Sequence, residues 1–171
     1  TPMEVLRILK GVSKHCYMLE SVENQEVWGR YTFLGYDPKL EITCMNGEMC
    51  IRESGSEEGA KEPVAHPGAK IKEILKEYTS PKVKDLPSFT GGLVGYFSYD
   101  YVKYSEPKLN LDADDQEGFK DVDLMLFDKV IAFDNLRQKI YIIANARTED
   151  LEQEYDRCLA EIEEIVDLIE H

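Results

Sequence analysis

The chain has 171 residues, 43% of them apolar, with ten tyrosines and six phenylalanines, which is enough for one domain, 1–171, with a buried core. Its 34 acidic residues against 20 basic ones leave a net charge of −14, a field that repels nucleic-acid phosphates and anionic lipid, and no basic patch interleaved with aromatics offsets it. No apolar run reaches the ~18 residues of a membrane-spanning helix and no signal-peptide pattern opens the sequence, while the four cysteines form no C-x-x-C pair, so they read as reduced thiols of a cytoplasmic protein.

Residues 3–12 carry Val5, Leu6 and Leu9 at helical spacing, with Thr1 placed as the cap, Pro2 at the first position and Gly11 near the end. The short apolar run 16–19 reads as a strand, and so does the aromatic segment 30–36 with its β-branched Thr32. In LEITCMNGEMCIRE, Asn46-Gly47 between two strand-like runs is the signature of a type I′ hairpin, because both central residues need positive φ. Cys44 and Cys50 could face each other across that hairpin; free thiols are the favoured alternative to a disulfide.

Residues 53–68 are polar and charged, contain glycine, Pro63 and Pro67, and read as a mobile surface loop. A helix follows from Ala69, with Ile71, Ile74, Leu75 and Tyr78 on one face. Pro81 and Pro87 bracket a connection into FTGGLVGYFSYDYVKY, which reads as a strand whose continuation as strand or helix periodicity does not decide. Residues 105–121 read as an acidic loop. DLMLFDKVIAFDNLRQKIYIIANA reads as two long strands joined by a turn around Asn135-Leu136-Arg137. Thr148 is placed to cap a last helix whose Leu151, Tyr155, Leu159, Ile162, Val166 and Ile169 recur every three or four residues, with Glu149 and Asp150 at the positive end of its dipole. Strands arriving in hairpins, without regularly interleaved helices, predict an α+β fold of mostly antiparallel, sandwich-like sheets with flanking helices. The start at Thr1-Pro2 and the stop inside a helical pattern read as two cuts in a larger protein.

Few residues offer chemistry. TGGLVGYF lacks the lysine of a P-loop and the spacing of a dinucleotide fingerprint, so its glycines read as strand or bulge positions that permit close backbone packing. His15 and Cys16 are neighbours on a strand and point to opposite faces, which argues against a thiol–imidazole dyad. No metal-ligand spacing occurs, and the acidic run 112–115 with Glu117 lacks the ligand order of a calcium loop. The stretch LESVENQEVWGRYTFLGYDP has a different logic. An amino-acid ligand needs a carboxylate for its ammonium, donors for its carboxylate and apolar surface for its side chain. Glu20, Ser21, Arg30 and Tyr31 supply these types and come together if 17–21 and 30–34 pair around a loop at 22–29. Local chemistry alone favours a plainer alternative, a rim ion pair between Glu20 and Arg30 that contributes little.

Three motifs in order, LES…GRYTFLGYDP, FTGGLVGYFSYDYVKYSE and DVDLMLFDKVIAFDN…KIYIIAN, resemble the N-terminal region of the anthranilate synthase component I family over nearly all of the chain. These are the chorismate-using subunits that open tryptophan biosynthesis. The family spelling G-R-Y-S-F-I-G is met here with Thr32 and Leu34, two mild changes. The resemblance implies that the catalytic groups, the chorismate pocket and the Mg²⁺-binding carboxylates lie in a larger C-terminal part. This chain would then hold no catalytic residue, metal or cofactor and would be inactive alone. The resemblance also implies that Leu19, Glu20 and Ser21 line a feedback site for L-tryptophan, with Arg30 as its basic residue and Tyr31 and Thr32 beside it. The remaining wall would come from the C-terminal part. The full enzyme would convert chorismate to anthranilate, with a glutamine amidotransferase subunit, component II, as the partner that delivers ammonia. The related aminodeoxychorismate synthase component I family shares the fold, and a stand-alone ligand-binding or interaction module is a further alternative.

Overall fold

The computed structural model describes residues 1–21, 29–111 and 114–170. Apart from Gly29, the loop expected at 22–29 therefore lies outside the described residues, as do Asp112 and Ala113 of the acidic run and the terminal His171. In chain order the elements are α1 (Pro2–Val12), β1 (Cys16–Leu19), β2 (Tyr31–Tyr36), β3 (Leu40–Met45), β4 (Glu48–Glu53), β5 (Ala60–Pro63) and α2 (Pro67–Glu77). There follow β6 (Gly92–Phe97), a 3-10 helix (Tyr99–Tyr104), β7 (Val122–Phe127), β8 (Lys129–Asp134), β9 (Lys139–Ala144) and α3 (Leu151–Glu170). Two antiparallel sheets with flanking helices make this an α+β fold. Within the length read as one domain, the chain divides into two compact units, Thr1–Pro38 with Ser80–Gly92 and Phe127–His171, and Lys39–Thr79 with Leu93–Leu126.

The first unit is built on the four-stranded sheet β1-β2-β8-β9. Its first helix begins as the residues dictate: the Thr1 hydroxyl accepts from the Glu4 amide at 3.3 Å, the Glu4 carboxylate accepts from the Thr1 amino group at 2.7 Å, and Pro2 occupies the first turn. Gly11, inside this helix, has nothing within 4 Å of a Cβ built on it. Gly11→Ala is accordingly expected to raise stability by about 0.5–1 kcal/mol, seen as a higher urea midpoint.

Pairing registers decide which side chains share a face. Met18 lies opposite Leu34, Leu34 opposite Ile131 and Ile131 opposite Ile142. This row packs with Val5 and Leu9 of α1 and Ile165 of α3 into one hydrophobic cluster. Alternation along each strand turns Tyr17, Leu19, Tyr31, Phe33, Ala132 and Asp134 to the other face. The helix α3 differs from its expected form at its start. Thr148 does not cap it, because Asp150 sits in the left-handed region at φ 52° and the helix begins at Leu151. Cys158 and Ile165 are its buried residues, while Leu151 and Tyr155 are each 61% exposed. Arg157 ties the helix to the chain beyond the end of β9: its Nη2 donates to the Asn145 carbonyl at 3.0 Å, and its charge is held by Glu154 and Glu161, each at 2.8 Å.

The second unit is built on the five-stranded sheet β5-β4-β3-β7-β6. The β3–β4 turn is the expected one, with Asn46 at φ 49° and Gly47 at φ 80°. Its register pairs Cys44 with Met49 and Thr43 with Cys50, so Cys44 and Cys50 sit on opposite faces, and all four cysteines are free. Ile42, Cys44, Met49, Val122 and Leu124 pack against Ile71 of α2.

Three sequence expectations are corrected here. The supposed loop 53–68 contains the strand β5, in which Lys61 pairs with Cys50; as an edge strand of polar residues it shows no apolar alternation. The helix α2 starts at Pro67, two residues before Ala69, because proline suits a first helical position. The run 122–144 holds three strands, not two: β7 and β8 part at Asp128 and enter different sheets, with no glycine or proline between them to mark the break. The undecided segment after Gly92 is a strand followed by a 3-10 helix.

Candidate functional site

On the face of the four-stranded sheet turned away from α1 and α3, aromatic rings run in series. Ring centroids of Tyr31 and Phe33 lie 5.8 Å apart, Phe33 and Phe89 5.5 Å, Phe89 and Tyr17 6.5 Å, and Tyr17 and Phe127 4.7 Å. Most of these contacts are edge-to-face, the arrangement that ring quadrupoles favour. Tyr17 lies over Gly35, where any Cβ would come 2.3 Å from its ring. The Tyr17 hydroxyl is buried with no hydrogen-bond partner, and burial pushes its pKa up.

One end of this face is polar. Arg30, just before β2, binds Asp134, the last residue of β8, side-on: Nε lies 3.1 and 3.2 Å from the two carboxylate oxygens and Nη2 lies 2.6 Å from Oδ2. The Asp134 side chain is fully buried and the Arg30 side chain 24% exposed. Asp134 also accepts the Arg137 amide at 3.0 Å. The Arg30 hydrogen bonds hold the Asp134 carboxyl below its ordinary range, and the same contact raises the arginine. The Arg30 guanidinium carbon stands 4.8 Å from the centre of the Tyr31 ring, a cation–π distance. Next in sequence, Asn135 donates its backbone amide to the Arg30 carbonyl at 2.8 Å and its side-chain amide to the Thr32 hydroxyl at 3.1 Å.

The expected site residues fall into three groups. Leu19 ends β1 opposite Phe33 on the aromatic face, is 46% exposed, and is followed by the exposed Glu20 and Ser21. Arg30 and Tyr31 precede Phe33 on the neighbouring strand, so they lie at the same end of the sheet as Leu19. Thr32 alternates away from Tyr31; it is fully buried and held by Asn135. The plain alternative of a Glu20–Arg30 rim pair is corrected, since the carboxylate that engages Arg30 is Asp134. Asp134, Asn135 and Phe89 were not anticipated from the sequence. Asp-Asn at the end of an apolar strand was the available signal, but its partner lies 104 residues earlier.

Among the described residues no group of three or more histidines, cysteines, aspartates or glutamates is placed to hold a metal ion. No helix among them is long and apolar enough to cross a membrane.

The family model for chorismate binding enzymes matches residues 14–170. The chain belongs to the chorismate-binding enzyme family. It is 37% identical over 162 residues to anthranilate synthase component 1 of Acinetobacter calcoaceticus, which covers 92% of this chain and 32% of that protein. It is 34% identical over 166 residues to the protein of the same name from Acetivibrio thermocellus, covering 96% of this chain and 33% of that one. A crystal structure of anthranilate synthase component I from Streptococcus pneumoniae TIGR4 superposes with a TM-score of 0.54 at 24% identity, over 95% of this chain and 34% of that chain, and shows a shared fold. The resemblance carried by the three motifs therefore holds along almost the whole family segment, which spans about a third of the length of the curated relatives it matches.

Proposed function

We propose that this chain is the regulatory part of an anthranilate synthase component I, and that Leu19, Glu20, Ser21, Arg30 and Tyr31 form its share of an L-tryptophan feedback site. The observation that supports this is the meeting of Leu19, Arg30 and Tyr31 at one end of an aromatic sheet face, with Glu20 and Ser21 directly after Leu19. A zwitterionic aromatic amino acid needs what these groups offer: a carboxylate for its ammonium in Glu20, a guanidinium and a hydroxyl for its carboxylate in Arg30 and Ser21, and ring surface at Tyr31. Thr32 serves the site indirectly, by fixing the strand through Asn135.

In this reading the rest of the enzyme supplies the chorismate pocket, the Mg²⁺ ligands and the remaining wall of the tryptophan site. A glutamine amidotransferase subunit supplies ammonia, and the complex works in the cytoplasm. Two outcomes are expected. In the intact enzyme, Glu20→Ala and Ser21→Ala should each raise the inhibition constant for L-tryptophan about tenfold or more, measured against each variant's own uninhibited rate. Unchanged constants in both would refute the site. Purified by itself, the chain should leave chorismate unconverted; anthranilate fluorescence rising with its concentration would refute that assignment.

A further inference from the structure

We infer that Asp134 is a positioning residue for this site: it grips Arg30 side-on and so presents the other edge of the guanidinium to the carboxylate of an α-amino-acid ligand. The inference rests on the tryptophan-site reading above and adds to it a residue from a distant strand and a chemical requirement on the ligand.

The geometry carries it in three steps. A guanidinium has five N–H donors in a fixed plane. Asp134 occupies the Nε side and one Nη2 hydrogen, which leaves Nη1 and the second Nη2 hydrogen without a hydrogen bond among the described residues. That free edge has the fork geometry that matches a carboxylate bidentately. The Tyr31 ring, its centre 4.8 Å from the guanidinium carbon, adds a second contact that holds the group in place. Finally, the backbone of Arg30 is anchored by the neighbour of Asp134: the Asn135 amide binds the Arg30 carbonyl, and the Asn135 side chain binds Thr32 Oγ1.

Asp134 itself cannot drift, since its carboxylate is fully buried and also accepts the Arg137 amide. A long, flexible side chain is thus ordered before any ligand arrives, which lowers the entropic cost of binding. The pair is also asymmetric. Asp134 is sealed from water while Arg30 keeps 24% of its side chain exposed, at the end of the sheet shared with Leu19.

The test compares L-tryptophan with tryptamine, which keeps the ring and the ammonium and lacks the carboxylate. Binding of both to the intact protein would be measured by calorimetry, with a thermal melt of every variant. The wild-type protein is expected to prefer tryptophan by about tenfold or more. Arg30→Gln should abolish that preference. Asp134→Asn should weaken tryptophan binding about fivefold or more while leaving tryptamine binding nearly unmoved, as expected for the loss of a charge-assisted contact. In the Arg30→Gln background, Asp134→Asn should add nothing, because a residue that acts through another is silent once that other is gone. Arg30→Lys keeps the charge without the fork and should behave like Asp134→Asn; it decides the matter if that variant does not fold.

A preference for tryptophan that is undiminished in both Asp134→Asn and Arg30→Lys would overturn the inference and leave the tryptophan site standing. Equal losses for tryptophan and tryptamine, additive in the double variant, would make Asp134 a structural residue only and would also overturn it. Absence of tryptophan binding to the wild-type protein would overturn both readings together.

Discussion

Replacing Gly95 by valine is expected to destabilise the unit built on the five-stranded sheet by roughly 2–5 kcal/mol, with alanine close behind. Gly95 lies in β6 at φ 153°, a conformation that side-chain-bearing residues rarely adopt. A Cβ there would stand 2.0 Å from the Asp123 carbonyl oxygen and 2.9 Å from the Leu124 Cα. Both obstacles are backbone atoms of β7, so no rotamer change relieves the overlap. The strands would have to separate beside Val122 and Leu124, which are 0% and 4% exposed and belong to the core cluster of this unit. Urea unfolding followed by circular dichroism would measure the effect. A midpoint within error of wild type would mean that β6 does not seat against β7. This close approach explains Gly95 of TGGLVGYF as a packing device.

What could be read in advance follows the range of the forces involved. The cap on α1 and the β3–β4 turn are decided within a few residues, by Thr1 with Glu4 and by Asn46-Gly47, and both were legible. The strand β5 was not, because what makes it a strand is the hydrogen-bonding edge of β4 and not its own side chains. The break at Asp128 was hidden because no glycine or proline marks the point where the chain passes from one sheet to the other. Along α3 the spacing groups Ile162, Val166 and Ile169, which are half-buried, with Leu151, Tyr155 and Leu159, which are exposed, because periodicity does not say where along a helix contact with the sheet begins. At the candidate site the same division holds. Glu20, Ser21 and Arg30 are close in sequence and could be grouped by chemistry. The carboxylate that orients Arg30 lies across the sheet on β8, and only the register between β2 and β8 reveals it.

Asp121→Ala should cost about 3–5 kcal/mol of stability, and the wild-type protein should carry the mark of this carboxylate in its response to acid. The Asp121 side chain is 4% exposed and gathers three donors: the Asn46 amide at 2.8 Å, the Tyr104 hydroxyl at 2.7 Å and the Lys103 ammonium at 2.8 Å. The Tyr104 oxygen in turn accepts the Gly47 amide at 2.8 Å, so one carboxylate ties the type I′ turn to the 3-10 helix. Alanine would leave the Asn46 amide without its acceptor and the Lys103 ammonium with only the Asn46 side-chain oxygen. Asparagine would keep one acceptor oxygen and should cost less, about 1–3 kcal/mol. Burial alone would push the Asp121 pKa up, but the hydrogen bonds from Lys103, Tyr104 and Asn46 outweigh it and hold the group below its usual value. A folded-state pKa below the unfolded one means the carboxylate stabilises the fold fully above the ordinary Asp range, about pH 4, and loses that contribution as pH falls from there through the lower folded value. Urea midpoints measured from about pH 6 down to about pH 3 should therefore drop more steeply in the wild type than in Asp121→Asn, the two curves converging at the acid end. Parallel curves across that window would show that the carboxylate charge contributes nothing to the turn, and that its three hydrogen bonds act as neutral ones.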